Sequence, residues 1–243
     1  MVVLVLAGFV MNPAMALAQQ TPEEQTEAPA TDDTSACPAR PLDTNIHVKL
    51  DLPEPKIDHS MSRYDLRDFN VSTKSPYGKG NFTHVNGLMQ GPVELGTKIT
   101  IAWQTDSEKK ENCFWYRTVN LVLRLQPIIY VASEVPAGKC YYNAIIEHEM
   151  KHVEVDRGLV RDYQNIVYDS IENFIQENGT IDHVPTGQEK EAQRELSKAL
   201  EAQIRQIHLR MREDRISRQA QVDNLKEYDR VANECSIMEK LER

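Results

Sequence analysis

The stretch His148-Glu149-Met150-Lys151-His152 lies inside a run from Cys140 to Phe174 that holds no proline and one glycine, Gly158. Apolar Tyr141, Ile145, Val155, Leu159, Tyr163, Ile166 and Phe174, with Ser170, fall at three- and four-residue steps in phase with the two histidines, which predicts an amphipathic helix. Both histidines then face inward, one turn apart. That spacing lets two imidazoles grip one metal ion, with the intervening Glu149 as general base, and zinc is the expected ion. The competing reading is a pair of hydrogen-bonded core histidines. The helical setting that the H-E-x-x-H pattern requires favours the metal.

The pattern continues as H-E-M-K-H-V-E-V-D to Asp156. On an unbroken helix Asp156 would sit about 9 Å too far along the axis to ligate an ion held between the histidines. It is expected instead to orient a ligand, accepting the free ring N–H of His152, or to pair with Arg157.

Upstream, residues 41–135 read as β structure. Asn45–Asp51, Thr97–Trp103 and Val119–Leu125 alternate, and Ile128–Val131 follows; Tyr77-Gly78-Lys79-Gly80, Gly91-Pro92 and Pro136-Ala137-Gly138 mark turns. Downstream, Asn178-Gly179 ends the helix, and Pro185-Thr186-Gly187 precedes a glycine- and proline-free run to Arg243. Leu196, Leu200, Ile204, Ile207 and Met211 form one apolar stripe in that run. Val222, Leu225, Tyr228, Ala232, Cys235 and Met238 form a second, with a charged stretch from Arg212 to Arg218 between them. Two helices, or one long bent helix, satisfy this pattern. The stripes read as core packing, with a homodimer through the C-terminal helix as the alternative. The expected class is α+β: a small, mainly antiparallel sheet packed on the metal helix, followed by a long helical region.

The 243 residues carry a net charge of −9 and a pI near 5.3. That balance argues against nucleic acid or an anionic membrane surface as partner. Residues 1–18 read as a signal peptide: Val2 to Val10 is too short an apolar run to span a bilayer, and Ala16-Leu17-Ala18 offers a small-x-small cleavage site. Residues 19–40 read as an acidic disordered linker, 41–185 as the catalytic α+β domain, and 186–243 as a helix or helical hairpin packing on it. The expected location is periplasmic or secreted, with no membrane span once the leader is removed. Four cysteines fit export and two disulfides. Cys113–Cys140 and Cys37–Cys235 are the expected pairs among three connectivities.

The leader, β region, H-E-x-x-H helix and helical tail together resemble an uncharacterised bacterial family described as secreted zinc-dependent proteases, within the zincin group. The run Cys140-Tyr141-Tyr142-Asn143-Ala144-Ile145-Ile146-Glu147-His148-Glu149-Met150-Lys151-His152 carries the likeness, with Tyr228-Asp229 in the tail. The resemblance extends over about residues 45–238, where its fold and chemistry are the expectation. In that family the Tyr-Asp pair precedes a histidine; here Glu234 stands nearby instead. Zincins resembling thermolysin share H-E-x-x-H-x-x-x-D and take a third ligand, a glutamate, from a later helix. This makes Glu172, Glu227, Asp229 and Glu234 candidates. Glu172 is about 30 Å along the same helix and drops out, leaving Glu234 and Asp229. The resemblance implies hydrolysis of a peptide or protein substrate, with Tyr163 or Tyr228 as oxyanion donor. Two other classes compete with the enzyme: a scaffold that keeps zinc for stability, and an interaction module using residues 188–243 as an arm.

Overall fold

A computed structural model of the chain describes residues 3–4, 43–69 and 84–241. Its elements run β1 (Val3–Leu4), β2 (Asn45–Asp51), β3 (Lys56–Asp58), α1 (Arg63–Arg67), β4 (His84–Val85), β5 (Gly87–Gln90), β6 (Val93–Asp106) and β7 (Glu111–Leu125). They continue through β8 (Ile128–Val131), α2 (Cys140–Asn178), β9 (Thr180–Pro185), α3 (Glu189–Val222) and α4 (Leu225–Leu241). The class is α+β, as the alternation and periodicity predict. Apart from Val3–Leu4, which pairs in parallel with His84–Val85, the expected leader and linker lie outside the described residues, as does the turn at Tyr77–Gly80.

The long β6–β7 hairpin forms the centre of one sheet. β2 adds to β7 in parallel, and β9 adds to it antiparallel at the hairpin's far end. Period-two alternation buries Phe114 and Tyr116 on one face, and a register shift opposite Thr100/Ile101 moves the buried set to Val119, Leu121, Leu123 and Leu125. A second sheet orders β3, β8 and β5. Gly91 joins the two sheets where a Cβ would lie 3.0 Å from the Pro127 Cα and 3.1 Å from the Gln126 carbonyl oxygen, so no larger residue fits without a shift.

α2 runs 39 residues, about 58 Å of helix, and crosses both apolar clusters. Its first turns, with Ala144, Ile145 and Val153, join Leu88, Ile129, Val131 and Tyr228 around the small sheet. Its later turns, with Leu159, Val160, Tyr163, Val167, Ile171 and Ile175, pack with the large sheet and α3. Past Tyr163 the buried stripe therefore differs from the expected one: Ile166 is 45 % exposed, and Ser170 and Phe174 are only half-buried. Steps of three and of four both meet apolar residues after Tyr163, and the sheet lies on the four-step side.

The charged stretch Arg212–Arg218 does not interrupt the tail. α3 continues through it because Arg215 turns inward to a buried acid, and the break comes at Asp223-Asn224 instead. The Asn224 side chain caps α4 by accepting from the Glu227 N–H at 3.1 Å. Leu196, Leu200, Ile207 and Met211 are buried in this chain's own core.

The cysteine pairing differs from the expected one. Cys140 bonds to Cys235, tying the start of α2 to α4, and Cys113 is disulfide-bonded as well. Both expected pairs, Cys113–Cys140 and Cys37–Cys235, are thereby overturned; Cys37 itself lies outside the described residues. α4 folds back along the first turns of α2, which brings Cys235 to Cys140, whereas Cys113 sits far off on β7. No helix among the described residues is long and apolar enough to cross a membrane.

Candidate metal centre

Between the two apolar clusters α2 carries a belt of buried polar side chains: His148, Glu149, His152 and Asp156, all with no exposed surface. Facing them, the end of α3 and the residue after it supply Arg215, Gln219 and Asp223, each under 10 % exposed. Burying so many polar groups is costly unless they pair or bind an ion.

Three donor atoms converge there. His148 Nε2 and His152 Nε2 are 3.3 Å apart, and Asp223 Oδ1 stands 3.5 Å from the first and 3.2 Å from the second. Tetrahedral ligands at bond lengths of about 2.0–2.1 Å have donors separated by roughly 3.3 Å. The spacing therefore fits a single metal ion among them, and these three are the group of His, Cys, Asp or Glu among the described residues that can hold one. The second Asp223 oxygen has no hydrogen-bond partner among the described residues. Burial pushes the Asp223 carboxyl up, but hydrogen bonds and charge from His148 and His152 outweigh it and hold it down at about 2.

The far side of each of these three groups is held in turn. His148 Nδ1 lies 3.3 Å from Glu227 Oε1. Both Glu227 oxygens accept from Lys151 Nζ at 2.7 Å, and Arg230 also donates to this carboxylate. Burial opposes ionisation of Glu227, but the bonds from Arg230, Lys151 and His148 prevail and hold it at about 2. His152 Nδ1 meets Gln219 Oε1. Tyr228 donates its hydroxyl to Asp223 Oδ1 at 3.2 Å and sets its ring edge-on to His148 at 5.7 Å between centroids.

Glu149, one residue past His148, meets no side-chain partner among the described residues, and only the Met89 backbone comes near its carboxyl. Burial first, and the Asp223 charge second, raise its carboxyl well above the ordinary range; the Met89 backbone opposes this only in part. Burial of this kind favours the uncharged carboxyl over the carboxylate.

Not every expected residue is brought here. Asp229 and Glu234 are exposed on α4, and Glu234 pairs with Arg230; the converging carboxylate is Asp223 instead. Asp229 and Glu234 follow the break in the tail, whereas Asp223 is the break. The signal for it was Asp-Asn, two cap-forming residues in a run otherwise free of helix breakers. Asp156 neither accepts directly from His152 nor pairs with Arg157. Arg157 instead binds Glu154 and Glu54 at 2.8 and 3.0 Å, while Asp156 faces Arg215 and Gln219. Tyr228 is at the site, but its hydroxyl is spent on Asp223. Tyr163 is three turns away. Comparison with protein-family models, with curated proteins and with solved structures finds no match.

Proposed function

We propose that this chain is an exported zinc-dependent metallopeptidase of the H-E-x-x-H type, similar to zincins, that hydrolyses peptide bonds with Glu149 as general base. The observation that carries the reading is the combination of three converging donors with a buried carboxyl beside them that meets no side-chain partner among the described residues. Structural zinc sites close all four positions with protein ligands, whereas three protein ligands leave one free for chemistry. Zinc held by His148, His152 and Asp223 would supply Lewis-acid polarisation and acidify water toward a pKa of about 7.

The remaining work falls to the chain. Glu149 accepts the proton of the attacking water and returns it to the leaving amine. Glu227 and Gln219 orient the two imidazoles, and Tyr228 orients the Asp223 carboxylate. His148, Glu149 and His152 have no exposed surface, so a peptide or protein substrate enters only when the packing over them, β5 and the α3–α4 junction, moves aside. The Cys140–Cys235 bridge supports export to the periplasm or beyond, where disulfides persist.

The same burial favours a second reading, a catalytically inactive zincin-like scaffold protein of the cell envelope that keeps its metal for stability and meets partners through its C-terminal helices. A chelator-sensitive peptide cleavage assay beside zinc content separates the two. Wild type should cleave; Glu149→Gln should keep its zinc and lose turnover by a factor of about 100 or more. Zinc-loaded wild type that cleaves nothing favours the scaffold, and a fully active Glu149→Gln removes Glu149 from its role.

A further inference from the structure

We infer that Gln219 is a positioning residue for His152, its amide locked by the Asp156–Arg215 ion pair so that the histidine turns a bare Nε2 toward the metal. This rests on the reading of His148, His152 and Asp223 as metal ligands. It concerns a residue that the H-E-x-x-H pattern does not include.

The chain of constraint starts at the β5–β6 turn. Arg215 donates through Nη2 to the Gly91 carbonyl at 2.7 Å and grips Asp156 with a fork, Nε to Oδ1 at 2.8 Å and Nη2 to Oδ2 at 2.5 Å. A guanidinium is always charged, and its fork matches a carboxylate. Asp156, with no exposed surface, is thereby fixed as a pure acceptor. Gln219 Nε2 lies 2.6 Å from Asp156 Oδ1 and 3.0 Å from the His152 carbonyl oxygen.

Neither of those atoms has a proton to give, so the amide must turn its NH2 toward both. The flipped amide would set oxygen against oxygen twice, in a site 3 % exposed at Gln219 where no water screens the clash. The amide oxygen is left facing His152 Nδ1. A carbonyl oxygen only accepts; Nδ1 must therefore carry a hydrogen. A neutral imidazole with its hydrogen on Nδ1 has its lone pair on Nε2, the atom 3.2 Å from Asp223 Oδ1 and 3.3 Å from His148 Nε2. The ring is thus set for ligation by protons counted back to an arginine on α3.

The helix explains why an amide is interposed. Asp156 sits four residues after His152 on the same face, with both oxygens gripped by Arg215, and Gln219 from the facing helix shares Oδ1 and spans the gap to the ring. As a neutral acceptor it orients the ring without adding another negative charge beside Asp156 and Asp223.

The test uses the full chain in two measurements. Zinc affinity is read by competition against a chelator for wild type and Gln219→Met, a substitution close in volume whose thioether is only a weak acceptor and which has no NH2 to donate. Positioning predicts a 10- to 100-fold weaker affinity, the usual loss when a partner behind a metal ligand is removed. A merely structural role would lower the melting temperature of the metal-free variant and leave zinc affinity at the wild-type value, which would overturn the inference.

The second measurement needs no variant. Histidine-selective ¹⁵N NMR of wild type should find a hydrogen on His152 Nδ1, with or without zinc, because both the ligating tautomer and the imidazolium carry one there. A bare Nδ1 would overturn the inference even if Gln219→Met failed to fold. If wild type binds no zinc while His152 Nδ1 is protonated, the metal reading fails and the hydrogen-bond relay stands. If zinc binds tightly and Nδ1 is bare, the reverse holds.

Discussion

Replacing Asp223 by alanine tests the feature of the site that the sequence concealed. Asp223 closes the group of donors at 3.2 and 3.5 Å from the two imidazole nitrogens, at the point where the tail breaks between α3 and α4. Four-ligand zinc sites in small folding domains bind with apparent free energies of about 10–16 kcal/mol. An equal share per ligand is about 2.5–4 kcal/mol, or two to three powers of ten in dissociation constant. Asp223→Ala should therefore bind zinc about 100- to 1000-fold more weakly than wild type. Asp229→Ala, on the exposed face of α4, should change the affinity by less than about threefold, the range of an ordinary surface substitution. Chelator competition at fixed pH measures all three proteins, with circular dichroism to confirm that each is folded. Wild-type affinity in Asp223→Ala together with lost affinity in Asp229→Ala would refute the assignment and return the third ligand to the helix beyond the break.

Two stability predictions concern the elements that hold the site. The double substitution Cys140→Ser with Cys235→Ser opens a loop with a sequence separation of 95, worth up to about 4.7 kcal/mol in the chain-entropy model; urea unfolding should show a loss of at least about 2 kcal/mol, and unchanged stability would mean that α4 is held by packing alone. Gly158 lies within α2 with nothing near the position of a Cβ, so Gly158→Ala should raise stability by about 0.5–1 kcal/mol without altering metal affinity. A destabilised variant would mean that the helix bends at Gly158.

The long helix α2 was legible because three signals agree in Cys140–Asn178: an uninterrupted period near 3.6, a motif that requires such a helix, and a closing Asn-Gly. The same rule failed beyond Tyr163, since Ile166 and Val167 offer two phases and only the sheet, a distant element, chooses between them. β9 escaped notice because it is a short strand at a proline, and its pairing with β7 is set by the long hairpin. The third member of the candidate metal group was hidden for a related reason. Carboxylates abound in the acidic tail, and which of them reaches the histidines depends on where the helix breaks. The charge cluster at Arg212–Arg218 looked like the break, yet Arg215 is charge-paired in the interior with Asp156, while Asp223-Asn224 carried the capping chemistry. The disulfides followed that geometry, for α4 reaches Cys140 only when α3 ends at residue 222.

Elemental analysis of the purified full chain, wild type beside His148→Ala, addresses the centre of the account most directly. Wild type should carry about one zinc per chain and His148→Ala almost none, as expected for a site that loses one of its three ligands. Folded wild type free of metal after exposure to zinc, or equal metal in both proteins, would contradict it.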